Sequence, residues 1–182
     1  MELRGGLKDL LHGGAAIVKT EREAVWRDEA ATQAFAESLA ANPQVRNAFI
    51  ELHGELGAGK TTFVRHLLRA LGVQGRIKSP TYAVVEPYEL TDASTGFNIW
   101  HFDFYRFSDP REWADAGFRD IFASPGLKLA EWPENVAGQL PPADLVLHIG
   151  VLPDETRQVK IVAQTPAGLA LIQGGRGQGA GL

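Results

Sequence analysis

One segment constrains the fold of this 182-residue chain more than any other. Gly54–Thr61 has the sequence GELGAGKT, which fits the phosphate-loop pattern of glycine, four residues, glycine, lysine and serine or threonine. The apolar run Ala48–Leu52 before it predicts a buried strand, and apolar residues at helical spacing follow it as far as Gly72. Glycines in such a loop let backbone N–H groups surround phosphate oxygens at the positive end of the following helix. The segment therefore predicts a nucleoside triphosphate site, in which Lys60 contacts the β- and γ-phosphates and the Thr61 hydroxyl binds Mg²⁺.

The composition bounds the class of protein. With 182 residues, 45% of them hydrophobic, the chain suits one α/β domain and would be cramped as two. It contains no cysteine, which excludes disulfides, a thiol nucleophile and a cysteine metal site. We find neither a signal peptide nor an apolar run of about 18 residues, so we expect a soluble, cytoplasmic protein that does not contact the membrane. The net charge of −4 weighs against autonomous binding to a polyanion, so we expect a partner to hold any nucleic acid.

The rest of the sequence predicts an α/β fold with a mixed sheet. Asp28 is a predicted N-cap for a helix that continues to about Ala41. Two predicted strands, around Tyr82–Tyr88 and Phe97–Asp103, are separated only by a turn, and such neighbours usually pair antiparallel. We therefore expect a three-layer fold like that of phosphate-loop NTPases, with helices flanking parallel and antiparallel strands. The other predicted elements are a strand at Ile17–Thr20, a helix from Asp109 to Gly117, a strand at Leu127–Glu131, and a hairpin of Leu145–Ile149 and Gln158–Val162.

Glycine-containing segments lie at both ends of the chain. Residues 1–15 are aperiodic and are predicted to form a flexible lead-in. Residues 173–182 are glycine-rich and are predicted to be disordered. A single ATPase domain is therefore expected at 16–172.

Two carboxylates are the main candidates for the acidic partner that a phosphate loop needs to hold or orient Mg²⁺. Asp103 and Glu131 each end a predicted apolar strand, and ligands of open α/β sheets bind at strand ends. Thr81, in the loop after the helix, is a candidate sensor of the γ-phosphate, with a plain turn residue after Pro80 as the alternative. The chain contains no Asn-Lys pair with which a guanine-specific motif could begin, so adenine is the favoured base.

Other candidates have a strong structural alternative. Lys78, Arg106 and Arg157 could neutralise charge in the transition state, but a solvated surface role is favoured for each. Trp132 fits a contact residue at the rim of the site as well as it fits buried packing. His53 and His101 are interpreted as packing residues, and the dispersed histidines do not predict a zinc site.

Five short motifs follow one another in the chain: GELGAGKTT (54–62), KSPTY (78–82), VEPY (85–88), HFDFYR (101–106) and EWPE (131–134). In order and spacing they resemble the TsaE family, also called YjeE, over about Asp28–Val162. The resemblance implies a bacterial cytoplasmic ATPase, with ATP and Mg²⁺ as cofactors. Such an enzyme is required for the threonylcarbamoyl modification of adenosine next to the anticodon of tRNA. The resemblance also implies that it acts with the TsaB and TsaD proteins, of which TsaD transfers the threonylcarbamoyl group, and meets tRNA only through that complex.

The resemblance assigns roles by position. The phosphates would be held by Gly57, Ala58, Gly59, Lys60, Thr61 and Thr62. Thr61 and Glu131 would bind Mg²⁺, and Asp103 would orient the metal's shell or the attacking water. Thr62 and Trp132 occupy positions tied to activity in the family. Residues that match positions near the nucleotide more loosely are Glu29, Thr32 and Arg157.

A switch loop is expected at Ser79–Tyr82, including Ser79, Thr81 and Tyr82, and docking of the partners should order it beside Trp132. Phenylalanine at Phe104 and Phe107, where leucine is commoner, departs from the family pattern without touching the chemistry.

Two other functions share the phosphate loop. A small-molecule kinase would need an acceptor site and an arginine-bearing lid, for which Asp109–Ile121, with Arg111 and Arg119, is the only candidate segment. A non-catalytic nucleotide sensor would bind ATP without turnover.

Overall fold

The computed structural model describes residues 19–80, 82–91, 96–109 and 111–174, with Asp115 described by its backbone alone. The strands of this part are β1 (Thr20–Trp26), β2 (Phe49–His53), β3 (Val85–Leu90), β4 (Phe97–Asp103), β5 (Leu127–Glu131), β6 (Leu145–Val151) and β7 (Arg157–Ala163). The α-helices are α1 (Glu29–Ala40), α2 (Lys60–Ala70), α3 (Arg111–Asp115), α4 (Phe118–Ala123) and α5 (Pro166–Gln173), and short 3₁₀ helices span Pro43–Asn47 and Pro133–Val136.

All seven strands form one sheet in the order β1-β7-β6-β2-β5-β4-β3. Strand β2 is central and pairs parallel with β5 and β6, and β5 pairs parallel with β4. The hairpin of β6 and β7, the outer strand β1, and the β3–β4 pair are antiparallel. The predicted mixed sheet is therefore confirmed, as are the predicted antiparallel pairing of β3 with β4 and the closing hairpin.

Alternate residues of the central strands pack into two separate cores, as expected for a sheet covered on both faces. Ile50 and Leu52 of β2 point to the core formed with α1, α2 and α5. Phe49 of the same strand points to an aromatic core that includes Trp113 of α3 and Phe118 of α4. The fold is thus an α/β fold of three layers, as predicted.

The capping chemistry of the sequence sets two of the helix starts. The Asp28 side chain accepts a hydrogen bond from the Ala31 N–H at 2.9 Å, as the N-cap prediction for α1 requires. The Thr165 hydroxyl accepts from the Gly168 N–H at 3.1 Å and so caps α5, which the sequence analysis did not predict. Helix α5 contains few polar residues, and its apolar residues did not give the periodic pattern by which α2 was recognised.

Three predicted boundaries differ from those observed. Strand β1 extends beyond the predicted Ile17–Thr20 to Trp26, because it pairs with β7 from Thr20 opposite Ala163 to Trp26 opposite Arg157, and residues 17 and 18 lie outside the described residues. Strand β3 begins at Val85, not at Tyr82, because Val84 takes a left-handed conformation and its N–H bonds to the Pro80 carbonyl in a turn. The helix predicted from Asp109 to Gly117 is α3, which ends at Asp115, and the left-handed Gly117 is followed by α4, which the sequence did not predict.

The predicted ends of the domain stay predictions. The lead-in at 1–15 and most of the tail at 173–182 lie outside the described residues. Gln173 belongs to α5 and Gly174 follows as its C-cap. No helix in the described part of the chain is both long and apolar enough to cross a membrane.

Candidate functional site

The loop between β2 and α2 is built on backbone conformations that favour glycine. Gly54, Gly57 and Gly59 have φ angles of 151°, 81° and 108°. A Cβ atom at Gly54 would also clash with the carbonyl oxygen of Ile149. No side chain caps the start of α2 at Gly59, so the N–H groups of the first turn are left to bind an anion.

Lys60, the first residue of α2, is a buried cation with only 4% of its surface exposed. Its Nζ donates to the carbonyl oxygens of Gly54 and Glu55, the latter at 2.9 Å, and lies 4.1 Å from the ring centre of Trp132. Burial lowers the pKa of Lys60, and the nearby charges of Glu131, Glu134 and Asp103 oppose that effect. Within the described part of the chain Lys60 has no ion pair with a carboxylate, and the contacts of its Nζ are two backbone carbonyls and an aromatic ring.

Thr61 in the first turn of α2 contacts Glu131 at the end of β5, although the two residues are far apart in sequence. The Thr61 hydroxyl lies 2.9 Å from each carboxylate oxygen of Glu131, which is only 2% exposed. A hydroxyl has a single proton, and donating it to Glu131 leaves the oxygen lone pairs of Thr61 available to a cation. A hydroxyl and a carboxylate are the oxygen ligands that Mg²⁺ prefers, so these residues fit the predicted metal.

Asp103 ends β4 directly beside Glu131, since the two residues are paired in register across the parallel strands. Its Oδ1 accepts a hydrogen bond from the Tyr105 N–H at 2.9 Å, and the side chain is 8% exposed. Burial raises the pKa of Asp103, while the Tyr105 N–H lowers it and Glu131 adds to the rise. The two predicted carboxylates therefore face the same end of the loop.

Two clefts flank the loop and share Ala58, Gly59 and Thr62 as walls. The acidic cleft, about 280 Å³, is lined by Leu56, Gly57, Ala58, Gly59, Lys60, Thr61, Thr62, Ser79, Asp103, Tyr105, Glu131 and Trp132. The side cleft, about 160 Å³, is lined by Trp26, Arg27, Asp28, Glu29, Thr32, Ala58, Gly59, Thr62, Glu155 and Arg157. Residues predicted from distant parts of the sequence, including the loosely matched Glu29, Thr32 and Arg157, thus lie around one loop.

Of the residues predicted to form the rim and switch loop, Trp132 and Ser79 line the acidic cleft. Trp132 has a left-handed backbone, and its ring lies 5.0 Å from that of Tyr105 at the mouth of the acidic cleft. Ser79 lines that cleft, Tyr82 is 86% exposed, and Thr81 lies outside the described residues. Their predicted switch role stays a prediction.

Of the three candidates for charge neutralisation, only Arg157 lines a cleft, and its Nε donates to the Ala58 carbonyl at 3.0 Å. Arg106 instead lies over the Tyr82 ring, 4.4 Å from its centre. Lys78 and Arg106 are absent from the walls of both clefts.

His101 is the site residue that the sequence analysis underrated. It is fully buried, and its Nε2 lies 2.8 Å from Oε1 of Glu131. The available signal was its position two residues before Asp103, because alternate residues of a strand share a face. His53, by contrast, contacts Glu51 and Glu134 and stacks on His148 away from both clefts. The described residues contain no group of three or more histidine, cysteine, aspartate or glutamate side chains that could hold a metal ion.

A sequence model of one family, described as threonylcarbamoyl adenosine biosynthesis protein TsaE, matches residues 26–159. This chain belongs to the TsaE family. It is 41% identical over 138 residues to the tRNA threonylcarbamoyladenosine biosynthesis protein TsaE of Haemophilus influenzae, covering 76% of this chain and 84% of that protein. The TsaE protein of Bacillus subtilis is 32% identical over 114 residues, covering 63% of this chain and 68% of that protein.

The fold agrees with this membership. The crystal structure of Bacillus subtilis YdiB matches with a TM-score of 0.64 at 25% identity, covering 88% of this chain and 95% of that one. The TsaE match at 26–159 includes every predicted site residue from Glu29 to Arg157. Membership in the TsaE family associates the chain with tRNA threonylcarbamoyladenosine biosynthesis.

Proposed function

We propose that this protein hydrolyses ATP to ADP and phosphate with Mg²⁺, and that it acts as a nucleotide switch on the TsaB–TsaD complex. The observation that carries the proposal is that the buried Lys60, which forms no ion pair with a described residue, lies near the Thr61–Glu131 hydrogen bond. A buried cation is stabilised by an anion, and the hydroxyl–carboxylate pair offers oxygen ligands to a divalent cation. A triphosphate carrying Mg²⁺ meets both needs at once.

The triphosphate is bound by the backbone of the loop and by Lys60. The uncapped N–H groups at the start of α2 face phosphate oxygens, which also benefit from the positive end of the helix dipole. Lys60 exchanges its bonds to the Gly54 and Glu55 carbonyls for the β- and γ-phosphates.

The acidic cleft holds the reacting end of the nucleotide. When bound, Mg²⁺ neutralises phosphate charge there. Thr61 and Glu131 hold the cation, and Asp103 orients its shell or the attacking water. Thr62, shared by both clefts, lies between the phosphates and the nucleoside.

The side cleft suits the nucleoside. It begins at Gly59 and Thr62, next to the phosphates, and carries the polar side chains of Glu29, Thr32 and Arg157. The absence of an Asn-Lys pair favours adenine as the base.

Partners complete the switch. The acidic cleft opens at Ser79 and Trp132, and Tyr82 is exposed nearby in sequence, so a docked protein can hold this rim and raise the rate. The chain's net charge of −4 disfavours tRNA binding by this protein alone, so tRNA associates through TsaB and TsaD.

The test measures ATP affinity and steady-state phosphate release by the protein alone, with TsaB and TsaD, and with both plus tRNA. We expect slow turnover alone and faster turnover with the partners. Lys60→Ala should abolish ATP binding while its circular dichroism matches that of the parent, because the loop offers no substitute for the lost charge. Unchanged ATP affinity and turnover in this variant would refute the phosphate-loop assignment, and fast turnover indifferent to partners would refute the switch.

The same measurements separate the two other functions. A kinase would consume ATP faster with a small acceptor, yet neither Arg111 nor Arg119 lines a cleft, and Arg111 is paired with Asp109 at 2.7 Å. A sensor would bind ATP without turnover even beside the partners. Filter binding tests whether tRNA associates only through TsaB and TsaD. Tight, salt-sensitive binding of tRNA by the lone protein would contradict that proposal.

A further inference from the structure

His101 makes one specific polar contact from a fully buried position on β4. Its Nε2 lies 2.8 Å from Oε1 of Glu131, and Leu129 is its register partner on β5. An ionised carboxylate only accepts hydrogen bonds, so Nε2 carries the proton of the imidazole. The other ring nitrogen, Nδ1, has no hydrogen-bond partner among the described residues, so the ring is committed to Glu131 alone.

The carboxylate of Glu131 is therefore held from two sides. The Thr61 hydroxyl contacts both of its oxygens, and His101 contacts Oε1 from within the sheet. Lys60 is also close enough for the Glu131 charge to affect its pKa, although the two form no ion pair. A carboxylate free to rotate would be drawn toward that lysine, whereas in the structure both of its oxygens contact Thr61 and one also contacts His101.

We propose that His101 is a positioning residue that fixes Glu131 on Thr61 and thereby sets the affinity of the site for a divalent cation. This inference rests on the proposed function, because it takes Glu131 and Thr61 as the cation's ligands. Partners of metal-binding side chains characteristically contribute 10–100-fold to metal affinity, which is the size of effect expected here.

The experiment compares three substitutions that differ in reach. His101→Phe keeps a ring of similar shape without a donor. His101→Gln can place its amide nitrogen near the position of Nε2, whereas the amide of His101→Asn is too short to reach Glu131. Ile99→Val, on the same strand and also buried, is a control that alters packing without touching the carboxylate.

Mn²⁺ affinity in the presence of ADP is measured by electron paramagnetic resonance, alongside ADP affinity in EDTA and the thermal midpoint. We expect His101→Phe and His101→Asn to weaken Mn²⁺ binding by about 10–100-fold with little change in metal-free ADP binding. His101→Gln should recover most of the loss, and Ile99→Val should bind Mn²⁺ like the parent.

Parent-like Mn²⁺ affinity in His101→Phe, or equal affinities in the Gln and Asn variants, would overturn the inference. Should the Phe variant not fold, the Gln and Asn pair decides the question. If the parent itself binds ADP without any Mn²⁺ dependence, the proposed function fails as well, which is a different result from parent-like variants beside a metal-dependent parent.

Discussion

The hydroxyl of Thr61 lies 2.9 Å from both carboxylate oxygens of Glu131, 70 positions later in the chain. Parallel pairing of β2 with β5 brings the two together, because Leu52 and Glu131 are register partners and Thr61 begins α2 just beyond β2. The ends of the parallel strands β2, β4 and β5 thus meet at one edge of the sheet, where the acidic cleft lies.

The role of the Thr61 hydroxyl in ATP hydrolysis can be tested with one pair of variants. Thr61→Ala removes the oxygen and leaves Glu131 with one fewer donor, so phosphate release should fall by about 10–1,000-fold. Thr61→Ser retains the hydroxyl and should remain within a few-fold of the parent. Rates are measured at saturating ATP with the partners present, and equal rates for Ala and Ser would show that the hydroxyl is not required.

Glu131→Gln should weaken hydrolysis more than nucleotide binding. The substitution removes a charge directed at the metal but leaves the backbone of the loop intact, so we expect a rate loss of about 10–1,000-fold. ATP affinity measured in EDTA should change little. A variant that hydrolyses ATP at the parent's rate in the full complex would make Glu131 a structural residue only.

Asp103→Asn should lower the rate of ATP hydrolysis. In the absence of nucleotide and metal it should raise the thermal stability of the protein. Burial raises the pKa of Asp103, so its ionisation weakens the native state as pH rises through the folded pKa. The amide keeps an oxygen to accept the Tyr105 N–H and carries no charge. At pH 7 we expect the thermal midpoint to rise above that of the parent.

The pH dependence checks the cause of that gain. Below the model-compound pKa of 3.8 the carboxyl is neutral in both folded and unfolded states, so the gain should disappear there. A gain of equal size at acidic and neutral pH would assign it to packing instead.

Most of the fold prediction rested on sequence patterns that act within a few residues. The glycine pattern at Gly54–Gly59, the helical period of α2 and the Asp28 cap each act within a few residues, and each has the predicted counterpart in the structure. The start of β3 could not be predicted, because the left-handed Val84 lies in an apolar, β-branched run that favours a strand. Helix α5 was not predicted because its apolar residues lack the helical period by which α2 was recognised.

The motifs in the sequence named residues that the structure brings together, but they did not show which of these residues contact one another. Strand ends pointed to Asp103 and Glu131, and the structure places them side by side. The spacing of His101 and Asp103 placed both on one face of β4, but the contact of His101 with Glu131 also needs the register of β4 against β5. A buried histidine inside an apolar strand is most often a packing residue.

Gly168 of α5 lies against the backbone of Asp144, so we expect substitution by alanine to destabilise the protein more at Gly168 than at Gly150. A Cβ at Gly168 would clash with the carbonyl of Asp144, whose side chain also accepts from the Phe49 N–H at the start of β2. Gly168→Ala should therefore cost about 1–3 kcal/mol of unfolding free energy. Gly150→Ala, with its nearest neighbour at 3.9 Å, is the matched control and should cost less than 1 kcal/mol. Urea unfolding measures both, and equal losses would place the strain elsewhere.

The contact between Lys60 and Trp132 predicts an optical signal for phosphate binding. The Nζ of Lys60 lies 4.1 Å from the ring centre of Trp132, and phosphates draw it away from the ring, which removes a cation–π interaction. Mg²⁺ with inorganic tripolyphosphate should therefore change tryptophan emission, although it carries no nucleoside to fill the side cleft, where Trp26 lies. Trp132→Phe should abolish most of this change, and Lys60→Ala should show none. A response that persists in Trp132→Phe would come from Trp26, Trp100 or Trp113 and would contradict its assignment to the Lys60–Trp132 contact.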